Sequence, residues 1–224
     1  MSTQDTSTLA TRPPRGRPTA ARRQAIGDRR ERILAAATRL FADQGFQATT
    51  VRQVADAVDV LSGSLYHHFA TKEDILAAIV RETVERTRDT ARAIAEIPES
   101  ADLRLARLVR ASLSELESNG AVHAILYNER KFFRASPDFA FVVQAKKDAY
   151  AAWERIIADG VAQGCFVAGL DRFLTITAIV RMITSAADWF RGDDASMVDA
   201  AHTYDAEGIA DFYCSFILGS LRRA

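Results

Sequence analysis

The 224-residue chain contains only two cysteines, three methionines and two tryptophans, and no net charge. Cys165 and Cys214 fit no metal-ligand spacing, and in a reducing compartment they read as small buried apolar residues rather than a disulfide. No run of about 18 apolar residues occurs, which argues against a membrane span and predicts no membrane partner. The first residues, MSTQDTSTLATRPPRGRP, lack the apolar centre of a secretion signal, so a cytoplasmic location is expected. The glycines form neither a phosphate loop nor a dinucleotide fingerprint, and no G-x-S-x-G elbow is present. His67 and His68 are adjacent, so on a helix they point about 100° apart and cannot chelate one ion together. His123 and His202 have no nearby Cys or second His. A site joining His123, Glu129 and Asp188 across helices is conceivable, but His123 reads more simply as a partly buried group with a satisfied ring. No catalytic residue, metal or cofactor is expected, and the chain does not read as an enzyme.

What the sequence does hold is helical periodicity and an uneven charge distribution. Residues 1–32 carry eight arginines against three acids, a balance of +5, so the remaining chain sums to −5. A basic end on an acidic body points to a polyanion contacted at one end. Ile33, Ala37, Leu40 and Phe41 share one helical face, ending at 45-GF-46. Val51, Val54, Ala55 and Val58 repeat the pattern over two turns, with Thr50 as N-cap. A third short helix is expected at about 63–69. The run 71-TKED-74 opens a long helix that Pro98 stops. Further helices are expected at about 102–118, closed by 119-NG-120, and at about 121–134. Another should run from 136-SPD-138 to about residue 163, a further one from Asp171 to about 190, and a last at about 205–221. The fold class is all-α with about nine helices.

The second and third helices, each short and separated only around Asp59–Ser62, have the layout of a helix-turn-helix. Ala55 is small where two helices cross, and Leu65 and Phe69 give the third helix an apolar face. At this point 33-ILAAATRLFADQGFQATT-50 and 49-TTVRQVADAVDVLSGSLYHHFATKEDIL-76 resemble the TetR/AcrR family of bacterial repressors. The resemblance is close over residues 29–76 and general in length and helical layout elsewhere. It implies a homodimer reading a near-palindromic double-stranded DNA operator, released by a small-molecule effector. Three parts follow: a flexible basic arm at 1–27, a helix-turn-helix domain at 28–75, and an effector-binding and dimerisation domain at 76–224.

By the same resemblance, Thr50 binds phosphate through its hydroxyl and backbone N–H, Tyr66 and His68 bond phosphates, and Lys72 adds a charge. Arg52, Ser62, Gly63, Ser64 and His67 are placed for groove contacts. Beside this head, 15-RGRP-18 has the form of a minor-groove hook, with Arg12, Arg15, Arg17, Arg22 and Arg23 as its cations. Two departures stand out. Asp59 replaces the family's usual turn glycine, which aspartate's tolerance of left-handed backbone allows. Leu61 replaces the usual serine cap, a role then expected of Ser62.

For the body, apolar stripes predict a dimer interface of Ile179, Met182, Ile183 and Ala186 with Ile209, Phe212, Tyr213, Phe216 and Ile217, where Gly219 and Ser220 permit close approach. Polar groups interrupting apolar helices mark Tyr127, Asn128, Glu129, Phe133, Tyr150, Trp153, Arg181, Asp188 and Trp189 as ligand-pocket candidates. The layout also resembles the actinobacterial branch repressing lipid, steroid or acyl-CoA catabolism, in which Arg181 would meet a carboxylate or a CoA phosphate. The alternative is a dimeric DNA-binding protein without a small-molecule switch, its body serving dimerisation or protein contacts.

Overall fold

The computed structural model describes residues 20–190 and 206–222. Among the described residues nine α-helices and one 3-10 turn follow in order, with no strand beyond an isolated bridge between Phe166 and Arg222. They are α1 Ala20–Gln44, α2 Val51–Asp56, α3 Ser62–Leu65, α4 Lys72–Glu96, α5 Ala101–Asn128, α6 Arg130–Ala135, the 3-10 turn Pro137–Phe139, α7 Ala140–Ala162, α8 Arg172–Phe190 and α9 Ala206–Leu221.

Short-range chemistry sets the ends of the head helices. Gly45, at φ 86°, takes the left-handed conformation that stops α1. Thr50 caps α2 with a reciprocal box: its hydroxyl accepts from Gln53 N at 3.2 Å, and Gln53 Oε1 accepts from Thr50 N at 2.8 Å. Thr71 and Asp74 repeat the box at α4. Asp59 is the one non-glycine residue at positive φ (53°) among the described residues, so the inter-helix turn survives without its glycine.

Three expectations change. The helix α1 begins at Ala20, ahead of the boundary expected at residue 28. The break expected at Asn119-Gly120 is there, Asn119 leaving helical backbone (φ −132°, ψ 27°) where two helical stretches meet at a kink within α5. The second stretch ends at Asn128 rather than about residue 134, with the short α6 beyond it. Pro137 opens a 3-10 turn, and α7 starts after it.

Two apolar cores hold the molecule. One joins Ile33, Phe41, Phe46, Val54, Leu65 and Phe69 of the head to Ile75, Leu76, Ile125, Phe133, Phe139 and Val142, so head and body share it. The other fills the body, with Leu105, Trp153, Ile156, Phe166, Ile176, Ile183, Tyr213 and Ile217. Cys214 is buried here and Cys165 partly so, both as free thiols. Arg104, 4% exposed, ties three helices by donating to Ala95 O at 2.7 Å and to Asp159 at 2.9 Å. Truncating such a group leaves its buried partners unsatisfied.

Gly160 is the tightest point of the body core. A Cβ there would meet the fully buried Phe166 ring at 2.1 Å. Gly160→Ala should therefore destabilise the fold by about 1–3 kcal/mol, since an overfilled core must move a ring. Thermal or urea melting checks this; an unchanged midpoint would show that the ring moves aside freely.

Candidate DNA-binding face and effector domain

The helix α3 is a single turn, seated by the fully buried Leu65 and by Phe69 just beyond it. Anchored in this way, it leaves Gly63, Tyr66 and His67 exposed and Ser62, Ser64 and His68 partly exposed. The helix starts one residue earlier than expected. Leu61 is the N-cap and makes no side-chain cap bond, so Ser62 is the first helical residue and not the cap. Arg52 on α2 is exposed, paired only loosely with Asp56 at 3.7 Å, an interaction weak enough for phosphate to displace.

Two expected phosphate contacts are already occupied. Both the hydroxyl and the N–H of Thr50 are engaged in the capping box. The ammonium of Lys72 donates to Phe46 O at 2.8 Å and to Thr49 O at 2.9 Å and lies 4.3 Å from the Phe46 ring centroid. It closes the turn between α1 and α2 and does not point free into solvent. Arg12, Arg15 and Arg17 lie outside the described residues; Arg22 and Arg23 fall within the first turns of α1.

The same turn is gripped from the body. Glu129, expected in the pocket, accepts from Phe46 N at 3.0 Å, and Phe132 packs on the Phe46 ring at 5.2 Å. Phe133, another pocket candidate, is 2% exposed and supports this joint through Phe132 and Phe139. Trp153 lies in the body core. Tyr127, half exposed, sits between two guanidinium groups, Arg130 at 4.8 Å and Arg181 at 5.7 Å, which brings Tyr127 and Arg181 together. Tyr150 instead meets Phe173, and Asn128 is exposed. The side chains of Asp188 and Trp189 lie outside those described.

A polar group of which the sequence marks only His123 lies along the kinked α5. Glu115, Asn119 and His123 share one face at four-residue steps. Arg86 of α4 holds Glu115 with two bonds of 3.0 and 2.9 Å, and Asn119 donates to the same carboxylate at 3.1 Å. Against expectation, the His123 ring is not satisfied. Its Nε2 is sealed from solvent without a hydrogen-bond partner, 3.8 Å from Glu115, and Thr87 Oγ1 is likewise orphaned. Burial lowers the His123 pKa; Glu115 opposes this, while Lys146 and Arg86 add to it. Lys146 keeps solvent contact as a residue, yet its ammonium donates to Leu126 O at 3.2 Å. Protein crowds it enough to bring its pKa down to about 8, with Arg134 contributing. Buried polar atoms without partners are rare in folded chains and mark places where function outweighs stability. The sequence singles out His123 and the Asn-Gly pair but not Glu115, Arg86 or Lys146, since pairing across helices leaves no local pattern.

The expected interface stripes divide once burial is known. Ile179, Ile183, Ala186, Ile209, Tyr213 and Ile217 are buried in their own subunit, and Met182 partly so. Phe212 and Phe216 are 64% and 57% exposed, their rings stacked at 6.0 Å, with Gly219 and Ser220 also exposed. Phe173 and Leu174 at the start of α8 are exposed too.

Two outcomes follow. Lys72→Met should lower stability by about 1–3 kcal/mol, because it leaves two turn carbonyls without their cation. The dependence of DNA affinity on salt should stay as steep as in the parent; a slope shallower by about one unit would return Lys72 to the phosphates. His123 resists protonation when folded, so stability present above the ordinary histidine pKa near 6.5 should drain away as pH falls below it. Melting of His123→Phe between pH 5 and 7.5 should show a flatter profile than the parent, and parallel profiles would refute the assignment.

Comparison with known proteins agrees with this architecture. Residues 33–79 match the model of bacterial regulatory proteins of the tetR family, and residues 98–221 match the tetracyclin repressor-like C-terminal domain. The HTH-type transcriptional repressor KstR2 of Mycolicibacterium smegmatis is 31% identical over 88% of this chain and 92% of its own. The solved structure of the ketosteroid transcriptional regulator KstR2 of Mycobacterium tuberculosis superposes with a TM-score of 0.78 at 28% identity, covering 88% and 96% of the two chains. That of AibR in complex with isovaleryl coenzyme A and operator DNA shares the fold, with a TM-score of 0.69 at 21% identity over 84% and 97%. No described helix is long and apolar enough to cross a membrane. The chain belongs to the TetR family of bacterial regulatory proteins, and is a DNA-binding transcriptional regulator rather than an enzyme.

Proposed function

We propose that the protein is a cytoplasmic homodimeric repressor that places α3 of each subunit in a major-groove half-site of a palindromic operator and leaves it when a small molecule fills the body. The observation that carries this reading is the exposed or half-exposed surface of Ser62, Gly63, Ser64, Tyr66 and His67 around a one-turn helix that buries only Leu65. Tyr66 and His68 bind phosphates, Arg52 reaches into the groove, Ser64 and His67 meet base edges, and the arginines of the arm enter the minor groove. Residues 28–75 act as the reading head, extended backwards by α1, and 76–224 as the regulatory body.

The body's relatives include a ketosteroid regulator, and an acyl-CoA complex is known for AibR, a protein of the same fold. An acyl-CoA combines an apolar acyl chain with an anionic carrier, whereas a ketosteroid is an apolar skeleton with neutral polar oxygens. The Tyr127–Arg181 pair and the unsatisfied His123 beside Arg86 and Lys146 offer polar and cationic groups to the anionic part of an acyl-CoA. The orphaned Thr87 Oγ1 and His123 Nε2 support the reading with a switch. Glu129 and Phe132 then convey the state of the body to the head, since both rest on Phe46.

Incubating the protein with its own genomic DNA and sequencing the retained fragments should yield an inverted repeat. Half-sites spaced by one helical turn, about 34–36 Å, are expected. A panel of steroid-derived acids and acyl-CoA thioesters should contain a compound that releases that DNA; a repeat that no compound releases would favour the switch-free alternative. For the dimer, Phe212→Glu with Phe216→Glu should convert it to monomer in sedimentation, given that this stacked pair is the large exposed apolar feature of α9. A dimer that persists would move the interface elsewhere.

A further inference from the structure

Leu61 breaks two ordinary rules at once. With 84% of its surface open, it is the most exposed large hydrophobic residue among those described. It also occupies the N-cap of α3, where serine, threonine, aspartate or asparagine would satisfy a free N–H and leucine offers nothing. Its position is nonetheless tightly set. The backbone is extended (φ −67°, ψ 139°), its carbonyl accepts from Ser64 N at 2.8 Å, and the preceding Val60 N donates to Ala55 O at 3.1 Å. Asp59 fixes the turn before it in left-handed backbone. The side chain is therefore held out on the surface beside Ser62, Gly63 and Ser64, without cover from its own chain and at the expense of the helix it begins.

What such a residue can gain lies in the DNA. Every base edge in the major groove is polar except one feature, the C5-methyl group of thymine, which apolar side chains recognise. The neighbouring Ser62 and Ser64 bond either donor or acceptor and discriminate poorly. We infer that Leu61 is a specificity-determining residue that packs on a thymine methyl group at one position of each half-site and supplies sequence discrimination that the adjacent serines do not. This rests on α3 entering the major groove, as proposed above.

The test uses the full-length protein and a duplex that the parent enriches from a random library. Each thymine is replaced singly by deoxyuridine, which removes only the methyl group. One thymine per half-site should prove sensitive, its replacement weakening binding roughly three- to tenfold, the scale of losing one or two buried methyl contacts. In Leu61→Ser the same replacement should have no effect. This variant also guards against a folding artefact: serine restores the cap, so its melting temperature should match or exceed that of the parent. Indifference of the parent to every thymine methyl would overturn the inference, as would equal sensitivity in parent and Leu61→Ser. Methylation of guanine N7 is run alongside. Interference there with no methyl effect sinks Leu61 alone, whereas no interference at any guanine removes the major-groove reading and Leu61's role with it.

Discussion

The peptide of Phe46 is the point on which the arrangement of this molecule turns. Its N–H goes to the carboxylate of Glu129 at the corner of α5 and α6, and its carbonyl goes to the ammonium of Lys72 at the start of α4. The ring lies against Phe41 of α1 and Phe132 of α6. One residue thus receives the end of α1, the start of α4 and the α5–α6 corner together. Both polar bonds are charge-assisted and partly buried, so each contributes on the order of 1.5–3 kcal/mol. A head fixed by helix packing alone could slide; one bonded through both groups of a single peptide has a defined orientation.

That constraint explains how so slight an element as α3 can be useful. Four helical residues are marginal by themselves, and α3 lacks even a side-chain cap. Its geometry comes from below, through Leu65 and Phe69, and from beside it, through Ala55, Asp59 and the α2 helix. The polar surface is free to face a partner because none of its residues is needed for the fold. In the body the relation is reversed. There unsatisfied groups, His123 Nε2 and Thr87 Oγ1 among them, are inside, where a helical bundle has little reason to keep them; a third, Arg104 Nε, belongs to the guanidinium that ties α4, α5 and α7. The local rules fail at the exposed face of α3 and at the buried polar group around His123.

How much could be read from the sequence follows the range of the interactions. The Thr50 and Thr71 boxes and the Asp59 turn involve residues within four positions, and their patterns were legible. The head core at Ile33, Ala37, Phe41, Leu65 and Phe69 was legible through helical spacing. Longer-range features were not. Asn119-Gly120 signals the kink in α5, but nothing local marks the second break at Glu129, where α5 gives way to α6. The stripes on α8 and α9 named apolar positions without saying which face their own subunit would cover, because both helices are apolar on more than one side. Lys72 reads in the sequence as a DNA contact and Glu129 as a pocket residue; only the fold brings them to one peptide. Arg181 and Tyr127, 54 positions apart in the numbering, meet through a cation–π contact that no spacing reveals.

The central claim is that the body governs the head through the joint at Phe46. Its most direct measure is the ratio of operator dissociation constants with and without saturating effector, compared between the parent and Glu129→Ala. The parent ratio should fall in the range of roughly 5–150 that ordinary coupling free energies produce. In Glu129→Ala it should drop towards one while operator and effector each still bind alone. A ratio unchanged by the substitution would contradict the account and place the coupling elsewhere.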